Sequence, residues 1–466
     1  MTRMREATPA ERSEFGRRAR TSVPRSSHGE WAPYAGRTDP LQILALQGAT
    51  RIPDLVPIRY GRMAASAFAY FRGAAAVMAS DLAAEERTGL DVQLCGDAHL
   101  SNFGGFASPE RDLIFDVNDF DETVPGPFEW DLKRLAASFE IATRGRGFDD
   151  ATRHAIVARG SGSYRQAMRQ FASMRDLDIW YSRLDGKAIA LRWGDQASRK
   201  LTETFQKRLT KAQSKDHLAA LAKLTVEVDG KLRFVENPPL MVPAESLFTD
   251  VYSSQTVGNL YDALVQYRTT LSGDRQRLLE KYEFTDLARK VVGVGSVGTR
   301  CLVALFVGRD NSDPLFLQVK EAEAAVGEPF LGASEYTHHG RRVVEGQRLM
   351  QGASDIFLGW DSFRGDDGVT RDFYLRQLWD WKLSVDVDTL APEALGIYAE
   401  VCGWTLARAH ARSGDPIAMA AYLGAGDRFD RAMVDFASSY ADQNQRDFES
   451  LTAAIATGRV KAEQGV

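Results

Sequence analysis

Four carboxylates crowd together behind a short apolar run: Asp116, Asp119, Asp121 and Glu122 follow Leu113-Ile114-Phe115. Upstream, a second loop offers Asp97, His99 and Asn102 behind Val92-Gln93-Leu94-Cys95. Both apolar runs read as buried strands, so both loops leave strand ends. Like charges gathered in such a place repel one another, and a cation or a substrate proton among them relieves the repulsion. Asp and Asn oxygens without sulfur ligands suit Mg²⁺ or Mn²⁺, hard ions that keep waters and share them with phosphates. The plainer alternative is a pair of acidic surface turns, because Asp, Asn and Gly are ordinary turn residues. Two separate strand ends each delivering acids favour chemistry over decoration.

A second stretch with chemical potential is residues 290–320, KVVGVGSVGTRCLVALFVGRDNSDPLFLQVK. Gly293, Gly295 and Gly298 have GxGxxG spacing, a weak signal taken alone. A dinucleotide-binding fold requires a helix directly after the third glycine. Here the following residues, 301–307, are β-type, and Asp310-Asn311-Ser312-Asp313 then makes a turn. A further strand-like run, 315–319, ends at Lys320. A simple hairpin is the competing account of the glycines, and an exposed strand-end lysine that of Lys320.

The run GDAHLSNFG, then NDFDET, then EWDLKRLA resembles the catalytic core of the kinase-like phosphotransferases, the aminoglycoside and choline kinase group. By that resemblance Asp97 orients the acceptor hydroxyl, and Asn102 and Asp119 hold the metal, with Asp121 as a further metal candidate. Asp131 is then a structural acid bracing the catalytic loop backbone. Strand, glycine loop, strand, turn, strand and lysine is likewise the order of a kinase small lobe. There the loop amides cover the ATP phosphates and the lysine contacts the α- and β-phosphates. A helix over 340–351 then supplies the lysine's acid partner, for which Glu345 is the candidate. Arg300 stands where protein kinases usually carry a valine over the adenine. Over its whole length the sequence also resembles an uncharacterised bacterial family, domain of unknown function 2252, which names no substrate.

In kinases the glycine loop and lysine precede the catalytic loop, whereas here they follow it. The resemblance therefore implies an α+β, protein-kinase-like two-lobed fold, circularly permuted. Such a permutation costs little when the joined ends lie at the surface. The expected division is a flexible N-terminal arm over 1–31 and a helical large lobe over 32–284 that carries the catalytic and metal loops (92–137). A β-rich small lobe over 285–380 and completing helices over 381–466 follow.

Composition agrees with that scale. A 466-residue chain with 44% hydrophobic and 26% charged residues builds two or three lobes with sizeable cores. With 58 basic against 63 acidic residues the net charge is −5, so no global basic field recruits nucleic acid. Cys95, Cys301 and Cys402 sit in apolar surroundings and read as reduced core residues. The sequence has neither an apolar run long enough for a membrane span nor an apolar signal core, so a cytoplasmic protein is expected.

Among single residues, Arg72 in the Ala-rich helical region 59–86 must snorkel, pair with an acid or hold an anion. Residues 149–281 are mostly helical by pattern, with a polar loop around Gln213-Ser214-Lys215. Within them Asp229-Gly230 joins two strands of a hairpin. A strand over 372–378 leads to the segment that would seat adenine. His410 in the helix over 391–412 reads as a packed, hydrogen-bonded histidine, and Asp415 before Pro416 as a turn residue. The expected activity is ATP- and Mg²⁺-dependent (Mn²⁺ substituting) phosphoryl transfer to an unknown small-molecule or protein hydroxyl. A nucleotidyltransferase, a non-catalytic nucleotide-binding scaffold and a metal-dependent hydrolase are the alternatives.

Overall fold

A computed structural model describes residues 7–196, 217–247, 262–365, 367–378 and 381–465, together with Ser198, Glu203 and Lys207. The loop expected around Gln213-Ser214-Lys215 lies outside these residues. The fold is mixed α+β, with antiparallel sheets set among long helices.

The first strands are β1 (Asp91–Leu94), β2 (Phe103–Ala107), β3 (Leu113–Val117), β4 (Val124–Pro127) and β5 (Leu184–Asp185). They are followed by β6 (Thr225–Val228), β7 (Lys231–Phe234), β8 (Met241–Pro243), β9 (Glu283–Lys290) and β10 (Cys301–Val307). The last are β11 (Pro314–Ala322), β12 (Gly359–Arg364), β13 (Thr370–Gln377) and β14 (Leu383–Ser384). A six-stranded antiparallel sheet runs in the order β12-β13-β11-β10-β9-β8. Its central strands are apolar and β-branched because both faces are covered. Ala304, Phe306, Leu315 and Leu317 face Tyr267, Leu271 and Leu279 on one side. Val303, Leu305 and Phe316 face Ala220, Leu224, Leu232 and Phe234 on the other. The β-rich unit therefore reaches back well before residue 285, taking in β8 and the expected hairpin β6–β7.

A second sheet, in the order β14-β2-β3-β5, and the β1–β4 pair hold the two acidic loops between them. Helices Glu129–Gly145, Asp150–Phe171, Pro392–Ser413 and Arg428–Ala456 bury the largest core around it. Helices Asp150–Phe171 and Pro392–Ser413 pass in close contact, and glycine permits that contact: a Cβ on Gly403 would sit 2.1 Å from the Gly160 carbonyl oxygen. The Ala-rich region divides into three short helices, Val56–Met63, Ala67–Gly73 and Ala75–Leu82. Ser66 caps the second by accepting from the Ala69 amide at 3.0 Å.

The N-terminal segment corrects its expectation as a flexible arm. Pro9–Ser22 is a helix opened by a Thr8–Glu11 capping box, with Pro9 in its first turn. It lies against helix Pro416–Leu423, and Arg12 pairs with Asp415 at 2.7 Å. Arg20 donates to the Tyr422 carbonyl and Arg25 to the Leu423 carbonyl, each at 2.8 Å. These arginines satisfy carbonyls that a helix leaves bare at its C-terminus, which is why a polar, Arg-rich stretch is ordered. Asp415, expected as a turn residue, caps helix Pro416–Leu423 through the Ile417 and Ala418 amides.

Gly403→Ala is expected to lower stability by about 2 kcal/mol or more, since the added methyl meets backbone that cannot move aside. Gly145→Ala, an exposed helical glycine with nothing within 4 Å of its would-be Cβ, is the control and should be neutral or stabilising. Urea unfolding of the two variants measures the difference.

Candidate functional site

Between the six-stranded sheet and the loops after β1 and β3 lies a cavity of about 950 Å³. Asn102 and Asp119 line it from the acidic loops, and Gln318, Lys320 and Arg376 from the sheet. Gly293 lines it from the glycine loop, and Arg72 from helix Ala67–Gly73.

The four clustered acids do not act as one group. Asp116 is buried, paired with Arg408 and accepting from the Gly352 amide at 2.8 Å. Glu122 accepts from the Val326 amide at 2.7 Å. Asp121 meets the Lys320 ammonium at 2.8 Å and also accepts from the Tyr374 hydroxyl. Of the four, Asp119 alone lines the cavity. Its Oδ1 accepts from the Asp121 amide at 3.2 Å, a tight turn that separates the two side chains.

Two expected roles change accordingly. Asp121, a candidate metal ligand, is instead the carboxylate partner of Lys320. Glu345, the candidate partner of Lys320, lies 3.4 Å from Arg348 on helix His339–Met350. Gln347 of that helix and Gln351 just beyond its end line the cavity. Glu345 is two positions before Gln347, about 200° around the axis, so it belongs to another face.

Electrostatics follow this division. Burial alone would raise the Asp121 pKa, but the charge and hydrogen bond of Lys320, with the Tyr374 hydroxyl, outweigh it and lower it. Burial likewise opposes the Lys320 charge, and Asp121, Tyr374 and Asp119 overcome it, holding the ammonium well above its ordinary range. Asp119 is raised by burial and then by repulsion from Asp121. Glu122 is raised to about 7, chiefly by burial.

The loop after β1 is held through its backbone. Asp131 accepts from the Cys95 amide at 2.7 Å and the Gly96 amide at 3.0 Å. His410 touches the same carboxylate at 3.2 Å, while its other ring nitrogen meets the Tyr164 hydroxyl at 2.8 Å. Gly96 has φ +80, and a Cβ there would lie 2.0 Å from the Glu122 carbonyl oxygen. The loops carrying Asp97 and Asp119 thus meet at a position only glycine fits. Asp97 is paired with Arg134 and is set outside the cavity lining. Burial pushes its carboxyl up, against the pull of Arg134 and Arg72. Asn102 Nδ2 donates to the Asp97 carbonyl at 2.8 Å, which leaves its oxygen as the atom available to a cation.

The glycine loop is anchored by residues that carried no pattern in the sequence. Arg51 donates to the Gly295 carbonyl at 2.8 Å, Arg62 to the Gly293 carbonyl at 2.6 Å, and the Ile52 amide to the Gly298 carbonyl at 2.8 Å. Gly293 faces the cavity, whereas Gly295 approaches the Arg72 carbonyl and Gly298 the Arg51 side chain. Arg300 pairs with Glu321 at 3.2 Å. Among the described residues no group of three His, Cys, Asp or Glu is arranged to hold a metal ion. Asn102 and Asp119 are the oxygen-bearing side chains that the acidic loops present to the cavity. No helix among the described residues is long and apolar enough to cross a membrane.

Residues 51–454 match the model of the family described as uncharacterized protein conserved in bacteria, DUF2252, and the chain belongs to that family. No curated protein and no solved structure matches it.

Lys320→Met and Asp121→Asn are expected to be coupled by about 1 kcal/mol or more in a double-mutant cycle of denaturant unfolding. Lys320→Met and Glu345→Gln should add within about 0.5 kcal/mol. The raised pKa of Glu122 also has a stability signature. Between its ordinary value of 4.5 and about 7 the folded chain keeps a proton that the unfolded chain releases. The resulting stabilisation is full below the lower value and is lost as pH rises through the upper one. Glu122→Gln should flatten that part of a plot of thermal midpoint against pH.

Proposed function

We propose that this member of the family is an ATP- and Mg²⁺-dependent phosphotransferase with a two-lobed, kinase-like architecture in permuted chain order. One observation carries the reading. The Lys320 ammonium lies 2.8 Å from Asp121, two residues from Asp119, although 199 positions separate lysine and acid in the chain. Phosphate-binding lysine, glycine loop and acidic loops thus border one cavity, as transfer between ATP and an acceptor requires.

Two features support the permutation. The glycine loop joins β9 to β10, Lys320 follows on β11, and helix His339–Met350 lies between β11 and β12. At the other end, the Gln93 amide of β1 donates to the Ser413 hydroxyl at 3.0 Å, and Gly414 lies against Val92. The helix Pro392–Ser413 therefore ends beside the strand that leads into the Asp97 loop, as it would if the chain ran directly from one to the other.

In this reading Lys320 pairs with the nonreacting phosphates, and amides near Gly293 and Ser296 cover them. Val292 and Leu378, which line the same cavity, offer apolar walls to the base. Asn102 and Asp119 fit Mg²⁺, being hard oxygen donors with room beside them for water and phosphate oxygens. Held by these two residues, Mg²⁺ would supply neutralisation of the phosphate charge. Asp97 orients the acceptor hydroxyl and takes its proton. Phosphoryl transfer asks the protein mainly for positioning and charge neutralisation, so this short set suffices.

A second reading, nucleotide binding without turnover, draws on the Asp97–Arg134 pair, which already engages the would-be catalytic carboxylate. MgATP at about a hundred times its dissociation constant should stabilise the fold by about 2.7 kcal/mol. For a chain of this size that is about 3 °C if it unfolds as one unit. Asp119→Asn should abolish the shift. A shift with metal alone, indifferent to ATP, would point to metal-dependent hydrolysis instead. Hydrolysis or transfer of the γ-phosphate by the unmodified chain separates catalysis from binding.

A further inference from the structure

Arg72 is the residue in the cavity whose chemistry the proposed phosphotransferase leaves unused. Arg72 lines the cavity, and its buried Nε has no hydrogen-bond partner. Neighbouring cations are spent. Lys320 is on Asp121 and Tyr374, Arg134 on Asp97 and the Phe71 carbonyl, and Arg376 on the Asn118 carbonyl and Gln318. A half-buried guanidinium without partners is costly unless an anion completes it. The charges of Asp97 and Asp119 attract it without a hydrogen bond.

Its place in the fold is specific. Helix Ala67–Gly73 is fastened to helix Glu129–Gly145 by Arg134, whose guanidinium stacks over the Phe71 ring at 4.2 Å and donates to the Phe71 carbonyl at 2.9 Å. On the other side the Arg72 carbonyl lies 3.2 Å from where a Cβ on Gly295 would be. Arg72 therefore lies where the glycine loop approaches helix Ala67–Gly73, and it lines the cavity together with Asn102 and Asp119.

We infer that Arg72 is a catalytic residue that grips the transferred phosphoryl group of ATP through its guanidinium fork, supplied from within the chain. The inference rests on the phosphotransferase reading and goes beyond it in assigning the charge-neutralising donor. In the step, the acceptor hydroxyl oxygen forms a bond to the γ-phosphorus while the bond from that phosphorus to the β–γ bridging oxygen breaks. The electron pair stays on the bridging oxygen of ADP, and the hydroxyl proton passes to Asp97 and then to water. Negative charge spreads over the three equatorial oxygens of the moving group, and a planar pair of N–H donors matches two of them. Lysine offers a point charge without the fork.

The test uses the full chain and two variants, Arg72→Lys and Arg72→Ala, with binding measured calorimetrically for MgATP, for MgADP, and for MgADP with aluminium fluoride. The last combination mimics the planar transferring group. The unmodified chain should bind MgADP at least tenfold tighter when aluminium fluoride is present. Both variants should keep MgATP affinity within about threefold and lose that tenfold gain, with γ-phosphate turnover falling about a hundredfold or more. Retention of the fluoride gain in either variant overturns the inference. So does loss of MgATP affinity in folded variants, since it makes Arg72 a ground-state binding residue. Unmodified chain that binds no MgATP defeats the phosphotransferase reading itself, a result distinct from failure of the variants alone.

Discussion

The contact between Lys320 and Asp121 is the constraint on which the rest depends. Lys320 stands on β11, every residue of which is buried, and a buried ammonium keeps its proton only beside a compensating charge. Asp121 and the Tyr374 hydroxyl supply that environment. The acidic loop must therefore reach the sheet, and that reach closes one wall of the cavity. Asp119, held to the Asp121 amide by its own side chain, is carried along and left facing the open space.

The other walls follow from arginines that satisfy backbone carbonyls. Arg342 donates to the carbonyls of Asp121, Thr123 and Glu323 and so joins helix His339–Met350 to the acidic loop and to the segment after β11. Arg408 joins helix Pro392–Ser413 to Asp116 and the Met350 carbonyl. Arg51 and Arg62 hold the glycine loop down. Guanidinium suits this work because it remains charged when desolvated and offers several donors in one plane. Asp131 does the complementary task with a carboxylate, taking two amides of the Asp97 loop while His410 and Tyr164 complete the chain of contacts. Loops that would otherwise move are thus held by groups whose exposure would cost a hydrogen bond each.

Much of the element pattern was legible residue by residue. The run Cys301–Val307 and the Leu-rich start of β11 form strands because their side chains are apolar on both faces. Asp229-Gly230 forms its hairpin. The helix with His410 follows from apolar periodicity. What escaped were pairings between distant segments. Arg12, Arg20 and Arg25 look like solvent-facing charge until helix Pro416–Leu423 presents its capping Asp415 and its terminal carbonyls to them. Glu345 looked suitable for Lys320 by type and position, yet the phase of its helix turns it to Arg348.

The sequence by itself determined which residues can do chemistry and which local elements carry them, because apolar spacing and turn residues act over short distances. Only the tertiary structure decided how the acids are divided: Asp116 to Arg408, Asp121 to Lys320, Glu122 to the Val326 amide, and Asp119 to the cavity. The physical reason is desolvation. In water these four carboxylates are equivalent, and burial separates them by assigning each the partner, or the open space, that its place in the fold provides.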